Sequence, residues 1–517
     1  MKKNFSVAAI FISSQLVAQE VTLQQEDSSR TLDNVVIVAT KYPIKQSNTG
    51  KLVSVVTRRQ IEQSVGKDLA QVLNEQTGLT VSGSYSNPGK EKSIFFRGAS
   101  SNYTLILLDG IPLNDPSGTG GTFDIRLIPL EQIERIEILK GSQSTLYGSN
   151  AMAGVINIIS KKPTSTELAG NGLLSYGSYN TFKGNANLSR KAKAIEYNLN
   201  YEYFDTKGIT EAKDLTGNGN FDKDGFNRQS FQASLGFFIK SNIKISPYYR
   251  FSEFKGQYDS DAFTDGDQKY NASLLNTGFI STIGYSKGTV TVNYGYDFTK
   301  LSYNGYLLGG KFNHAEAYVN HNFSEHLQLL AGISYQAFRL PTPDTTNNIF
   351  SPYTSLIYHQ SGFTMEVGSR YNKHNRYGDN FTYSINPSYL FKERLKLFVD
   401  ISSGYRAPAI NELFGPFSAN PKLKPETSRS IEGGVQVWAS DKKLSALATY
   451  YNRDIKRVII YEYPNGYVNR DRQKDHGVEV EFQCIPDKHW SVKAAYAFVD
   501  GEISQKIVNK DTTFHNL

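Results

Sequence analysis

Oxygen donors gather at two places in this sequence. Asn220, Asp222 and Asp224 alternate ahead of Gly225, and Asp259, Asp261, Asp265 and Asp267 follow within one short stretch. Alternate side chains of an extended segment point the same way, so the first three can converge. Glycine permits the sharp turn that convergence needs. A donor set of oxygens alone suits a hard cation such as calcium. An EF-hand is excluded, because the twelfth position counted from Asn220 is Phe231 rather than Glu. Without a cation, the same residues are two solvated acidic loops, a common feature of protein surfaces.

The rest of the chain is poor in reactive groups. Its 8 His are scattered, as His314, His321, His326 and His359 show, and no spacing pairs a nucleophile with a base. No enzyme is expected. His314 and His321 are candidate haem ligands, with polar lumen residues as the plainer reading. The 1 Cys, Cys484, excludes an internal disulfide and any Cys-rich metal centre. Gly118, Gly120 and Gly121 form a mobile turn, but no Gly-Lys-Ser/Thr follows to make a phosphate loop. A formal charge of +7 on 517 residues gives no support for nucleic acid binding. One further segment invites a partner. Asp33, Asn34, Val35, Val36, Ile37, Val38, Ala39 and Thr40 form a short β-branched run that could add as a strand to the edge of another protein's sheet, or serve as the first strand of its own domain.

The elements that position these residues follow from periodicity. Tyr and Phe number 33 and 30 while hydrophobic residues of all kinds make up only 39%. After about residue 168 apolar and polar residues alternate strictly, as in Val478, Val480 and Phe482 against Glu479, Glu481 and Gln483. Tight polar turns such as Lys240-Ser-Asn242, Ser286-Lys-Gly288 and Lys392-Glu-Arg394 take turns with longer stretches. The longer ones are 205–227, 255–271, 299–311, 339–351, 405–428 and 455–473. Connections sorted by parity, with aromatic residues to form interfacial girdles, are the signature of an outer-membrane barrel; a soluble sandwich has no reason to sort them. The fold class is therefore all-β transmembrane, a large antiparallel β-barrel. Roughly 17 to 18 strands are present, and the even counts of such barrels lead us to expect several more beyond Leu517.

Before the barrel the grammar differs. Residues 1–18 carry Lys2 and Lys3 ahead of an apolar run ending near Ala18, the layout of a secretory signal peptide. Residues 19–49 read as a periplasmic segment. Residues 50–162 read as a small α+β domain, with a helix over Arg59–Gln76 and short strands at Ile94–Phe96, Tyr103–Leu108 and Ile133–Ile138. A barrel of this girth, spanning 163–517, is too wide for side chains to fill, so the α+β domain is expected inside it as a plug. Arg97, Arg126, Arg135 and Glu137 are candidates to seat that plug against barrel charges.

These motifs resemble one family. Ile94-Phe-Phe-Arg-Gly98, Leu107-Leu-Asp-Gly-Ile-Pro112, Ile133 to Gly141 and Leu146 to Asn157 are similar to the plug motifs of TonB-dependent outer-membrane receptors, in order and spacing. Gly404-Tyr-Arg-Ala-Pro408, Glu412-Leu-Phe414 and Asn420 to Thr427 match its mid-barrel signature. The resemblance implies about 22 strands in the complete barrel. It implies that residues 33–40 are the box gripped by TonB, and that import is powered from the inner membrane. Within the family the likeness is greatest to the cobalamin transporters. That implies a cobalamin or other corrinoid ligand, with Glu91, Ser93, Ser100, Thr119 and Gly120 at or beside the contacts, although Lys90-Glu91-Lys92 is more charged than the pattern. It also implies calcium on Asn220, Asp222, Asp224, Tyr258 and Asp259, with Asp214 and Asp267 as weaker members. A monomer in outer-membrane lipid is expected, with a surface lipoprotein as a candidate partner. A ferric siderophore or haem is the alternative cargo, and a passive channel the less favoured mechanism.

Overall fold

The computed structural model describes residues 35–217, 219, 221–439, 441–487, 489–507 and 510–515. The signal peptide and Asp33, Asn34 and Asn220 lie outside the described residues.

Among the described residues beyond 168, eighteen strands form one sheet in sequence order, each antiparallel to the next. It begins with Ala169–Gly177 and its longest members have 19 residues, Leu444–Glu462 and Gly466–Cys484. The alternation seen in sequence sorts the two faces. In Gly466–Cys484, Val478, Val480 and Phe482 are exposed on the outer, lipid-facing side, whereas Glu479 and Asp475 are buried inside. Cys484 follows the outward set and is half-buried.

Three expected long loops are instead paired strand. Gly288–Tyr303 and Tyr306–Asn322 pair as far as Tyr303 opposite Tyr306, so residues 299–311 turn in Asn304-Gly305 alone. Leu327–Pro341 and Asp344–Gln360 likewise turn in Thr342-Pro343, and Leu444–Glu462 and Gly466–Cys484 in residues 463–465. Asn-Gly in positive φ is a favoured two-residue hairpin turn, and both residues adopt it. Three long connections remain at this end of the barrel: 207–225, 259–267 and 407–425, the last holding a short helix at Ile410–Phe414.

The lumen contains the α+β domain. Its five-stranded sheet runs Val53–Val56, Ile133–Lys140, Gly154–Ser160, Thr104–Leu108 and Ile111–Pro112 in spatial order, with Thr104–Leu108 and Gly154–Ser160 parallel. The single helix expected over Arg59–Gln76 is two, Arg58–Glu62 and Leu69–Asn74. The first ends at a Gln63 cap, Gly66 at φ 91° turns the chain in the break, and Thr57 and Asp68 each cap a helix start in a reciprocal box with Gln60 and Gln71. Val65, which the helical pattern placed on the apolar face, lies in the break and is exposed. The domain and the barrel share one apolar cluster: Ile136, Ile138, Ile156 and Ile158 belong with Phe226, Phe254 and Ile455 of the wall. Removing such side chains from water is worth about 1.5–3 kcal/mol each, so the plug is held partly by the wall's own side chains.

Candidate functional site

At the end of the barrel where the long connections lie, here called the mouth, 207–225 and 259–267 fold together. Carboxylate oxygens of Asp222, Asp259 and Asp265 lie within 4.8 Å of one another. Asp259 is the anchor. Its Oδ2 accepts from the backbone N–H of Ala212 at 2.5 Å and Glu211 at 2.9 Å and from the Thr210 hydroxyl at 3.1 Å. Burial acts to raise its pKa, but these donors outweigh it and hold the carboxyl below its ordinary value. Asp224 is buried beside it, and its Oδ1 has no hydrogen-bond partner among the described residues. Burial, then the adjacent Asp259, pushes its pKa up to about 7. Burial and the neighbouring Asp265 and Asp267 raise Asp222.

Acids this close repel unless protonated or bridged by a cation, and an all-oxygen set with an unsatisfied buried oxygen fits a divalent cation. Asp265, which the family likeness did not single out, is part of the cluster. Tyr258 sits differently, its ring packed against the apolar cluster of plug and wall. Asp214 accepts from the N–H groups of Thr216 and Gly219 in its own loop, and Asp261 from Phe263, so both are spent locally. Asp224 must lose its proton to serve as a ligand, and its raised pKa means the folded loop holds that proton up to about pH 7. In the absence of metal the loop is thus most stable at acid pH, and it loses this contribution as pH climbs from the ordinary carboxylate range through about 7. Divalent-cation affinity, measured by calorimetry, should rise about tenfold between pH 6 and pH 8 as that proton leaves. A flat profile would exclude Asp224 as a ligand.

The acidic loops meet the plug directly. The amide of Asn87 donates to the carbonyls of Ile209 at 2.7 Å and Asp224 at 2.8 Å, and Lys90 pairs with Glu211 at 3.0 Å. Of the five expected ligand contacts, Glu91, Ser100 and Thr119 are exposed and Ser93 is half-buried. Gly120 is buried, and any side chain there would press on Asn102 and the Arg406 guanidinium. Across the mouth, 407–425 supplies Phe417, its ring tilted against Tyr306 at 5.9 Å, and Phe414, under the Arg376 guanidinium at 4.7 Å. Tyr461 and Tyr467 pack edge to face at 5.2 Å beside them, and Lys422, Lys424 and Arg457 are exposed nearby. His314 and His321 share one strand at odd spacing, so His314 is buried inside and His321 stacks on Tyr285 outside. They cannot clamp one haem.

Residues 35–45 fold back on themselves and are held in the lumen. Val35–Val36 pairs with Ile44–Lys45, and the chain between them turns inside the lumen with Val36, Val38, Ala39 and Thr40 buried. Glu137 Oε2 accepts from the N–H of Ile37 at 2.9 Å and of Val38 at 2.8 Å. Tyr147 donates to Val38 O at 2.8 Å, Lys41 pairs with Glu316 of the wall, and Lys51 with Glu366 at 2.6 Å. A free sheet edge is what strand addition would need, and here the edge groups are already engaged.

Of the charges expected to seat the plug, Arg97 does so, pairing with both Glu432 and Glu479 of the wall. Arg126 instead pairs with Asp124 and Arg135 with Glu137, both within the plug. Sequence reasoning missed Lys140, which meets Glu479 and Glu481 at 2.9 Å each.

A plug and wall built this way have known counterparts. The TonB-dependent Receptor Plug Domain family matches residues 45–155, and the TonB dependent receptor-like, beta-barrel family matches 161–517. The chain is a TonB-dependent receptor. Like other members it is a transporter rather than an enzyme, sits in the bacterial outer membrane as a multi-spanning barrel, and works with TonB. It is 27% identical to the vitamin B12 transporter BtuB of Photobacterium profundum, over 93% of this chain and 80% of that protein. Its fold is shared with the ferric enterobactin receptor PfeA of Pseudomonas aeruginosa, at TM-score 0.73 and 17% identity over 90% of this chain and 86% of that one. The same holds for FpvA of P. aeruginosa, solved with a pyoverdine–iron complex, at TM-score 0.76 and 15% identity over 93% and 74%.

Proposed function

We propose that this receptor imports a large metal chelate, captured between the plug apices and the mouth loops and released inward when TonB draws on residues 33–40. The observation that carries the reading is the N-terminal segment itself. Residues 36–41 lie in the lumen, Val38 bonded to Glu137 of the plug and Lys41 paired with Glu316 of the wall, so force on them reaches both.

Two cargoes fit. A ferric siderophore is supported by the aromatic and cationic arc of Tyr306, Phe414, Phe417, Arg376 and Lys424. Stacking faces beside fixed positive charge suit an anionic, ring-bearing iron complex. The charged apex Lys90-Glu91-Lys92 supports it as well, and solved relatives of this fold are named for such ligands. A corrinoid is supported by the similarity to a vitamin B12 transporter along most of the chain and by the acid cluster as a calcium site. The mouth chemistry favours the iron complex. Purified full-length receptor should bind ferric enterobactin at least ten times more tightly than cyanocobalamin, with calcium present or absent, when both are titrated by isothermal calorimetry. Tighter, calcium-dependent binding of cyanocobalamin would reverse the assignment.

A further inference from the structure

Three pieces of the mid-barrel signature meet at one side chain. Arg406 ends the strand Leu395–Arg406, Glu412 lies in the helix Ile410–Phe414, and Glu426 opens the strand Glu426–Trp438. All three are buried. The Arg406 guanidinium donates to both carboxylates, from Nη2 to Glu412 Oε1 and from Nη1 to Glu426 Oε2, each at 2.5 Å. The connection 407–425 is thus gripped by the residue just before it, through Glu412 within it and Glu426 just after it. The plug reaches the same hub twice. Nη2 donates to Gly120 O of the apex at 3.5 Å, and Tyr103 donates to Glu426 Oε1 at 2.5 Å.

The aromatic arc of the mouth hangs from Glu412. Its carbonyl accepts from Asn420 N–H at 2.8 Å, and the Asn420 amide donates to Tyr467 O at 2.8 Å. Its Oε2 accepts from Ala409 N–H at 2.7 Å and so caps its own helix. Phe414 ends that helix, and Phe417 and Lys424 follow along the connection. Apex and connection also lie against each other, for a side chain at Gly121 would come within 3.3 Å of the Ala409 Cβ. A buried ion network adds little net stability, since desolvation offsets most of its attraction, and its best-attested use is to fix one arrangement among several. Glu426 keeps other donors in Tyr103 and the Ile459 N–H at 2.6 Å, so what the guanidinium supplies is the link between the two acids. A planar fork holds two carboxylates in set directions, which a lysine ammonium cannot do.

We infer that Arg406 is a positioning residue for cargo capture: its guanidinium sets 407–425, and with it Phe414, Phe417 and Lys424, in one place against the plug apex at Gly120. Being enclosed, it acts through these residues rather than on the cargo. The inference rests on the reading that cargo is held between the plug apices and the mouth loops. It also gives the signature a physical reason, because Arg406, Glu412 and Glu426 come one from each of its pieces and together make the hub.

Spin-label distances in the purified full chain test this without cargo. In a Cys484→Ser background, labels at Thr119→Cys on the apex and Lys422→Cys on the connection, both exposed positions, should give one narrow distance distribution by double electron–electron resonance. Adding Arg406→Lys should broaden it at least twofold. Glu412→Gln keeps the helix cap and the Arg406–Glu426 pair, so it is the milder variant and should broaden it less. A distribution as narrow as the parent's in both variants overturns the inference. In unlabelled receptor, Arg406→Lys should weaken ferric enterobactin binding at least tenfold by isothermal calorimetry. In a Phe414→Ala, Phe417→Ala background the same substitution should cost less than twofold, because the arc it positions is gone. An undiminished cost there would mark a general loss of structure and overturn the inference. Tighter binding of cyanocobalamin by the native receptor would instead remove the cargo assignment, and the same two ratios taken with cyanocobalamin then decide the part played by Arg406.

Discussion

Replacing Val38 by proline should abolish uptake while leaving cargo binding intact. The Val38 N–H donates to Glu137 at 2.8 Å, and proline has no such donor. The same N–H is among those that a TonB strand would pair with once the segment is released, so the substitution damages both the docked and the gripped state. The two losses differ in consequence. In the docked state Glu137 keeps the N–H of Ile37 and the Arg135 guanidinium, so the plug stays seated. In the gripped state, a strand of about six residues loses a central ladder bond and its fixed extended register. Protonophore-sensitive accumulation in cells should drop on the order of 100-fold. Binding to purified receptor should change less than about threefold, because the mouth is remote from the substitution. Normal uptake by the V38P receptor would mean that TonB grips elsewhere.

Arg97→Ala should have the largest effect on stability. The guanidinium is fully enclosed and serves two carboxylates, with Glu479 Oε1 and Oε2 each at 2.9 Å and the Tyr451 ring 4.3 Å below. Removing one partner of a buried ion pair leaves uncompensated charge and costs about 3–5 kcal/mol. Lys140 remains to satisfy Glu479, but Glu432 is left with no cation nearby in the described contacts. Arg97 also holds a left-handed backbone at φ 52°, a conformation alanine tolerates no better, so the substitution relieves nothing. The expected result is a plug that loosens before the barrel melts. It would appear as a new low-temperature transition by calorimetry and as protease cleavage within 50–162. A single unshifted transition would show that Lys140 and the apolar cluster suffice.

Period and parity made the barrel legible from sequence, because a lipid face and a polar lumen force strict alternation. What was misread had a local cause. Residues 299–311 look polar and loop-like, yet Asn304-Gly305 is a hairpin signal, and the strands simply stay paired up to it. The helix over Arg59–Gln76 has correct spacing on both sides of a break that Gly66 and the Asp68 cap impose. The acid cluster was legible as two loops but not as a constellation. Asp265 joins it through the fold of 259–267, and the burial that perturbs Asp224 depends on Asn87 of the plug, 137 residues away. The same distance effect hid the wall carboxylates that face Lys140 and the Ile37 and Val38 N–H groups that face Glu137.

The plug is made early and its counter-charges late. Glu432 and Glu479 lie 335 and 382 residues downstream of Arg97, so that arginine is not neutralised until most of the wall has formed. Contacts so distant in sequence form slowly. The ion pairs that seat the domain therefore close only once the last third of the chain has folded around it.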